Sequence, residues 1–264
     1  MRTDLTARAV TALAGAAATG APCEPVRTLI GETDLDAAYA VQSALIDDRV
    51  AAGARIVGRK IGLTSPAVQR QFGVYQPDFG TLLDDMVHSH AQPVPLPAFL
   101  QPRVEAEVAF VLGTDITVEQ PSVADVLRAT DFVLAAIEIV DSRIRDWDIR
   151  ITDTVADNAS SGAVVLGTTP YPLAGLDLAE IGMVLEVDGE PASTGAGSAC
   201  LGSPVTAVVW LARELSRRGT PLRAGEIVLS GALGPMVPVT APGRYRAHLA
   251  GLGSVEAIIA GETP

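Results

Sequence analysis

Apolar and polar positions along this chain follow first a helical and then a strand-like rhythm. Leu5, Ala9, Leu13 and Ala17 recur every four residues, and Gly20-Ala21-Pro22 stops the run, so a helix occupies the first twenty residues. A second helix, capped by Thr33 or Asp34, carries Ala37, Ala40, Val41, Ala44, Leu45 and Val50 as its apolar stripe and ends at Gly53. From Ala54 the pattern shortens. Residues 55–63, 103–112 and 132–140 read as strands, with a helix over residues 123–130 capped by Ser122 between the last two. Thr64-Ser65-Pro66 opens a short helix running to about Phe72, and residues 73–80 form a loop in which Pro77 holds Asp78 on a turn. Pro93, Pro95, Pro97 and Pro102 mark an extended connection, and residues 141–162 make a polar, irregular loop of the kind that walls a site. Further on come a hairpin about Asp188-Gly189, a helix from Ser203-Pro204 to Gly219, and strands near residues 227–229, 236–239, 245–249 and 255–259. The fold class is α+β: a mixed, mainly β core over residues 54–264, peripheral helices, and a small helical N-terminal lobe over residues 1–53.

Within this pattern the strand Arg103-Val104-Glu105-Ala106-Glu107-Val108 stands apart. Side chains alternate across a strand, so Glu105 and Glu107 share one face. At roughly 6 to 7 Å and an effective dielectric of about 20, two such carboxylates repel by about 2 to 3 kcal/mol. One reading is an exposed face with its charges in water; the other is a site that holds a cation. A third acid, Glu138, ends the strand of residues 132–140. If the two strands adjoin, the three make an oxygen-only site suited to Mg²⁺ or Mn²⁺ rather than zinc. Lys60 shares its strand face with Gly58 and Gly62, small neighbours that leave room for a ligand beside the ammonium.

Composition narrows the function classes. With 264 residues, 48% of them hydrophobic, the chain can bury a large core. A formal net charge of −12 without a basic patch argues against a nucleic-acid partner. Cys23 and Cys200 make no disulfide framework and no metal-ligand spacing, which fits a reducing cytoplasm. The run from Ala9 to Ala21 is too poor in Leu and Ile for a secretory segment, and no apolar run approaches the roughly 18 to 20 residues of a membrane span. Gly231-Ala232-Leu233-Gly234-Pro235 and Gly251-Leu252-Gly253 are turns, since no helix follows to hold a phosphate. His88 and His90 lack a third nitrogen or thiolate ligand.

Taken together in order, Gly58-Arg59-Lys60-Ile61-Gly62-Leu63-Thr64-Ser65, Gln76-Pro77-Asp78-Phe79-Gly80, Arg103-Val104-Glu105-Ala106-Glu107, Asp157-Asn158-Ala159-Ser160-Ser161-Gly162 and Ser230-Gly231-Ala232-Leu233-Gly234-Pro235-Met236 resemble the 2-keto-4-pentenoate hydratases, of the fumarylacetoacetate hydrolase superfamily. The resemblance implies a fumarylacetoacetate hydrolase-like fold in which residues 54–264 are the catalytic domain. It implies Mg²⁺ or Mn²⁺ on Glu105, Glu107 and Glu138, acid and base work by Lys60 and Asp78, and substrate contacts from Ser160 and Leu63. It also implies a 2-hydroxydienoate or 2-keto acid substrate from meta-cleavage of aromatic rings and a homo-oligomer, such as a pentamer or decamer. The expected reaction is hydration of 2-hydroxypenta-2,4-dienoate to 4-hydroxy-2-oxopentanoate. The rivals are a 2-oxo-3-hexenedioate (4-oxalocrotonate) decarboxylase, a C–C bond hydrolase, for which no suitably placed His is found, and a non-catalytic partner subunit.

Overall fold

The computed structural model describes residues 2–66, 69–70 and 74–261. Helix α1 (Arg2–Thr19) buries Ala9, Leu13 and Ala16, whereas Ala17 is exposed. A four-residue step overshoots the helical turn by about 40°, so an every-fourth-residue stripe drifts off the buried side. After a single turn, α2 (Arg27–Ile30), which the pattern did not announce, comes α3 (Leu35–Ala51), capped by the Asp34 side chain accepting from Ala37 N. Its buried side is Ala37, Ala38, Tyr39, Val41, Gln42 and Ile46, and the expected stripe members Ala40 and Val50 face solvent. Val50 lies thirteen residues after Ala37 and therefore about 220° round the axis.

Of the expected helix from Ser65 to Phe72, Pro66, Gln69 and Arg70 are helical, and residues 67–68 and 71–72 lie outside the described residues. Asp78 does not sit on a turn; it opens a strand, β2 (Asp78–Leu83), buried along its length. Among the described residues, one sheet of eight strands runs β2, β1 (Ile56–Gly62), β10 (Ile227–Leu229), β5 (Arg103–Leu112), β6 (Thr130–Val140), β7 (Ser161–Leu166), β3 (Val87–Ser89), with β11 (Val237–Pro238) added to β5. A second sheet of five runs β4 (Pro93–Pro95), β13 (Gly253–Ala260), β12 (Gly243–Leu249), β8 (Gly182–Val187), β9 (Glu190–Ala196). The β8–β9 hairpin turns at Asp188 and Gly189, with φ of 51° and 90°, the pair of positive values that a tight two-residue hairpin requires.

Register assigns the faces. Residues directly opposite one another share a face, and Lys60 pairs with Leu229, Leu229 with Ala109, Gly62 with Asp78, and Glu105 with Glu138. Lys60, Asp78, Glu105, Glu107 and Glu138 therefore project from the same side of the large sheet. The other side carries Val104, Ala106, Val108 and Phe110 with Ile137 and Ile139, all packed into the main core against β8, β12 and β13. That apolar side fixes which way the acids point, because a slip of one residue in β5 would turn Glu105 and Glu107 into the apolar core and its valines out of it.

The connection after β6 is not a loose loop. It contains single turns at Arg145–Trp147 and Asn158–Ser160 and a short helix, α5 (Ile151–Ala156), most of it buried. Helix α4 (Val123–Ala129) is capped by Ser122 as expected, and α6 (Pro204–Arg217) by Ser203. Among the described residues no helix is long and apolar enough to cross a membrane.

Candidate active site

The acidic face opens into a cavity of about 890 Å³, lined among others by Lys60, Leu63, Asp78, Arg103, Glu105 and Ser160. Glu105, Glu107 and Glu138 each offer a carboxylate oxygen to one small volume, these atoms lying within 4.8 Å of one another. Glu107 and Glu138 are fully buried, and Glu105 is half-buried at the cavity wall. Glu107 Oε2 accepts from Gly231 N at 2.8 Å, which leaves its Oε1 without a hydrogen-bond partner. Neither oxygen of Glu138 has an aligned partner, although Lys60 Nζ lies 3.2 Å from Oε1. Buried carboxylate oxygens with nothing to accept from are costly. An all-oxygen set converging on one point fits a hard divalent cation.

Burial raises all three acids. The Glu105 carboxyl is pushed up to about 7 by burial and then by Glu138. Glu107 is raised well above the ordinary range by burial and by its neighbours Glu138 and Glu105. Burial also raises Glu138, with Lys60 opposing it. For Lys60 itself burial works against the charge, but Glu138, Asp78, Glu105 and Glu107 together overcome it, so the ammonium is held above its usual value. One lysine thus faces four carboxylates.

Asp78 is almost completely buried. Its Oδ2 accepts from Thr154 Oγ1 at 3.1 Å, and its Oδ1 has no hydrogen-bond partner. Burial raises its carboxyl, with Lys60 and the Thr154 hydrogen bond pulling the other way. Behind it, Gln42 Nε2 donates to Phe79 O at 3.0 Å and to Val155 O at 2.8 Å, so α3 ties the residue after Asp78 to the residue after Thr154. The glycines beside Lys60 serve packing rather than ligand space. A Cβ at Gly58 would lie 2.0 Å from Ile227 O of β10, and one at Gly62 would lie 2.2 Å from Asp78 Oδ1.

Ser160 lines the cavity with its buried Oγ unpartnered. It ends a run of left-handed residues, Asn158, Ala159 and Ser160, with φ of 53°, 52° and 53°. Such conformations cost about 1 to 3 kcal/mol each in non-glycine residues and persist where surroundings enforce them. Here Asn158 exchanges two hydrogen bonds with the backbone of Thr81, and Arg143 grips Asp157 and donates to Ser161 O at 2.9 Å. Leu63, also left-handed at φ 55°, lines the same cavity. The structure therefore brings together every site residue expected from the sequence. Thr154, Gly231 and Arg103 were not foreseen. Thr154 lay in a stretch without helical periodicity and Gly231 in a turn, whereas Arg103 carried a signal, since it shares the period-two face of Glu105.

Residues 64–260 match the family described as fumarylacetoacetate (FAA) hydrolase C-terminal. The chain belongs to the fumarylacetoacetate hydrolase family. The family match begins after Lys60, but full-length relatives in the family extend over it. A protein named TodF product hydratase from Pseudomonas putida is 56% identical over 259 residues, 98% of this chain and 97% of that one. A 2-keto-4-pentenoate hydratase from Paraburkholderia phymatum is 58% identical over 233 residues, 88% of this chain and 89% of its own. Among solved structures, 4-oxalocrotonate decarboxylase from Pseudomonas putida G7, complexed with magnesium and adipate, superposes with a TM-score of 0.93 at 32% identity, covering 98% of both chains.

Proposed function

We propose that this chain is a hydro-lyase of the 2-keto-4-pentenoate hydratase type, adding water to 2-hydroxypenta-2,4-dienoate to give 4-hydroxy-2-oxopentanoate. The observation that carries the reading is the placement of three converging carboxylates beside Lys60 and Asp78 in one cavity, in a chain 55–58% identical to several proteins named 2-keto-4-pentenoate hydratase. Glu105, Glu107 and Glu138 would hold Mg²⁺ or Mn²⁺, which when bound polarises a keto oxygen as a Lewis acid. The magnesium named with the related decarboxylase supports a divalent cation here.

Hydration of a dienol delivers protons to two of its carbons. A proton arrives at C5 while the 2-hydroxyl proton leaves, giving an α,β-unsaturated ketone; hydroxide then adds at C4 as a proton reaches C3. Asp78 is suited to carry these protons, because it lines the cavity with its Oδ1 unpartnered and burial raises its carboxyl above the ordinary value. Lys60 keeps its ammonium and faces the negative charge that builds on the substrate oxygens. Ser160 Oγ, free of other partners, is available to a substrate oxygen, and Leu63 offers an apolar surface to the carbon chain.

A second reading, decarboxylation of 2-oxo-3-hexenedioate, is favoured by the likeness to 4-oxalocrotonate decarboxylase. A spectrophotometric assay separates the two. The purified single chain with Mg²⁺ is expected to remove the diene absorbance of 2-hydroxypenta-2,4-dienoate, to lose that activity in EDTA, and to release little CO₂ from the dicarboxylate. Metal-independent turnover, or CO₂ release as the dominant reaction, would overturn the proposal.

A further inference from the structure

Strand β5 presents Arg103, Glu105 and Glu107 in succession on the face that lines the cavity. Lys60 is committed to carboxylates of the protein. Arg103 is not: among the described residues no Asp or Glu forms an ion pair with it. Its Cζ lies 4.3 Å from the centre of the Trp147 ring, and one terminal N–H meets Met236 Sδ at 3.3 Å. The indole is itself fixed. Trp147 Nε1 donates to Gln101 O at 3.0 Å, and Asp146 and Trp147 hold left-handed backbones, with φ of 56° and 54°. A guanidinium stacked on a ring is held by its face, which leaves its remaining in-plane N–H groups to meet the two oxygens of a carboxylate.

We propose that Arg103, stacked on Trp147, anchors the C1 carboxylate of the substrate. The inference rests on the reading of this cavity as a site for 2-keto acids. It goes further by naming the side chain that recognises the acid. Successive residues on one strand face stand roughly 6 to 7 Å apart, so a carboxylate next to a keto oxygen at the Glu105 end lies within the arm of Arg103. An anion entering this cavity also meets Asp78, Glu105, Glu107 and Glu138, and a cation at its wall offsets that repulsion.

The test is calorimetric binding of 2-oxopentanoate, which lacks the reacting double bond, and of its uncharged amide, to the Mg²⁺-loaded wild type, Arg103→Met and Arg103→Lys. Charge-assisted hydrogen bonds of this kind correspond to about a ten- to a hundredfold change in affinity. Arg103→Met should lose that factor for the acid and little for the amide. Arg103→Lys should recover only part, because a point charge neither forks nor stacks. Titration of Arg103→Met with Mg²⁺ alone should give affinity equal to or tighter than wild type, showing the acid trio intact. Unchanged binding of 2-oxopentanoate, or equal loss of acid and amide, would overturn the inference. So would a loss confined to 2-oxohexanedioate, which carries a second carboxylate. Failure of the wild type to bind 2-oxopentanoate at all would instead refute the 2-keto acid reading beneath it.

Discussion

Replacing Glu107 by glutamine should make the metal-free protein more stable while removing its response to metal. Glu107 shares its small buried volume with Glu105 and Glu138, carboxylate oxygens lying within 4.8 Å, so each ionised pair repels by roughly 3.5 kcal/mol or more at an effective dielectric of about 20. Without a cation the chain escapes this by keeping a proton on the cluster. At pH 7 holding that proton on a carboxyl whose ordinary value is 4.5 costs at most about 3.4 kcal/mol, at about 1.36 kcal/mol per unit. A glutamine at 107 has no charge to neutralise, and its amide oxygen can still accept from Gly231 N. A carboxyl raised in the folded state binds more protons than the unfolded chain does. Its contribution to stability is therefore full below its ordinary value and is lost as pH climbs toward the raised one. In EDTA, Glu107→Gln should exceed wild type by up to about 3 kcal/mol at pH 7, which for a chain of this size is roughly 6 to 12 °C in Tm. At pH 5 the gain should shrink below about 1 kcal/mol. Saturating Mg²⁺ should reverse the order, since only the wild type gains stability by binding it at this site. Thermal melts at both pH values, with EDTA and with Mg²⁺, give all four numbers. A variant less stable than wild type in EDTA at pH 7, or a gap that does not widen between pH 5 and pH 7, would show that the trio does not store this repulsion.

Two further outcomes follow from the same geometry. Thr154→Val removes the hydrogen bond that favours the charged form of Asp78, so the acidic limb of the kcat/KM profile should move to higher pH with about a tenfold loss near neutrality, and Thr154→Ser should restore both; an unmoved limb would contradict the role given to Asp78. Gly231 has φ 99°, and a Cβ there would lie 2.3 Å from Thr64 Oγ1. Gly231→Ala should displace the loop that donates to Glu107 and weaken Mg²⁺ binding by about tenfold in a calorimetric titration, whereas wild-type affinity would show that this N–H does not orient the ligand.

Much of this site is legible in the sequence because strands have so simple a period. Alternation alone put Glu105 and Glu107 together, and the apolar runs on either side of Glu138 marked its strand. That Glu105 and Glu138 stand directly opposite is a matter of register, set by how Ala106 and Val108 pack with Ile137 and Ile139 on the opposite face, which no local pattern contains. Asp78 was misplaced on a turn because Pro77 ends one conformation without announcing the next. The segment of residues 141–162 looked irregular because its turns are too short to show a period; they are fixed by distant partners such as Thr81 for Asn158 and Gln101 for Trp147. The glycines beside Lys60 misled in another way. A missing side chain signals close approach but not what approaches, and here it was the β10 backbone and the Asp78 carboxylate.

Proton NMR of the reaction in deuterium oxide reads directly whether this cavity moves a proton to C5 of a dienoate and adds water at C4. With Mg²⁺ and 2-hydroxypenta-2,4-dienoate, the expected product is 4-hydroxy-2-oxopentanoate whose methyl group carries one deuterium and is split by a C4 proton. A product with an unlabelled methyl group, or a substrate that stays intact while Mg²⁺ is bound, would contradict it.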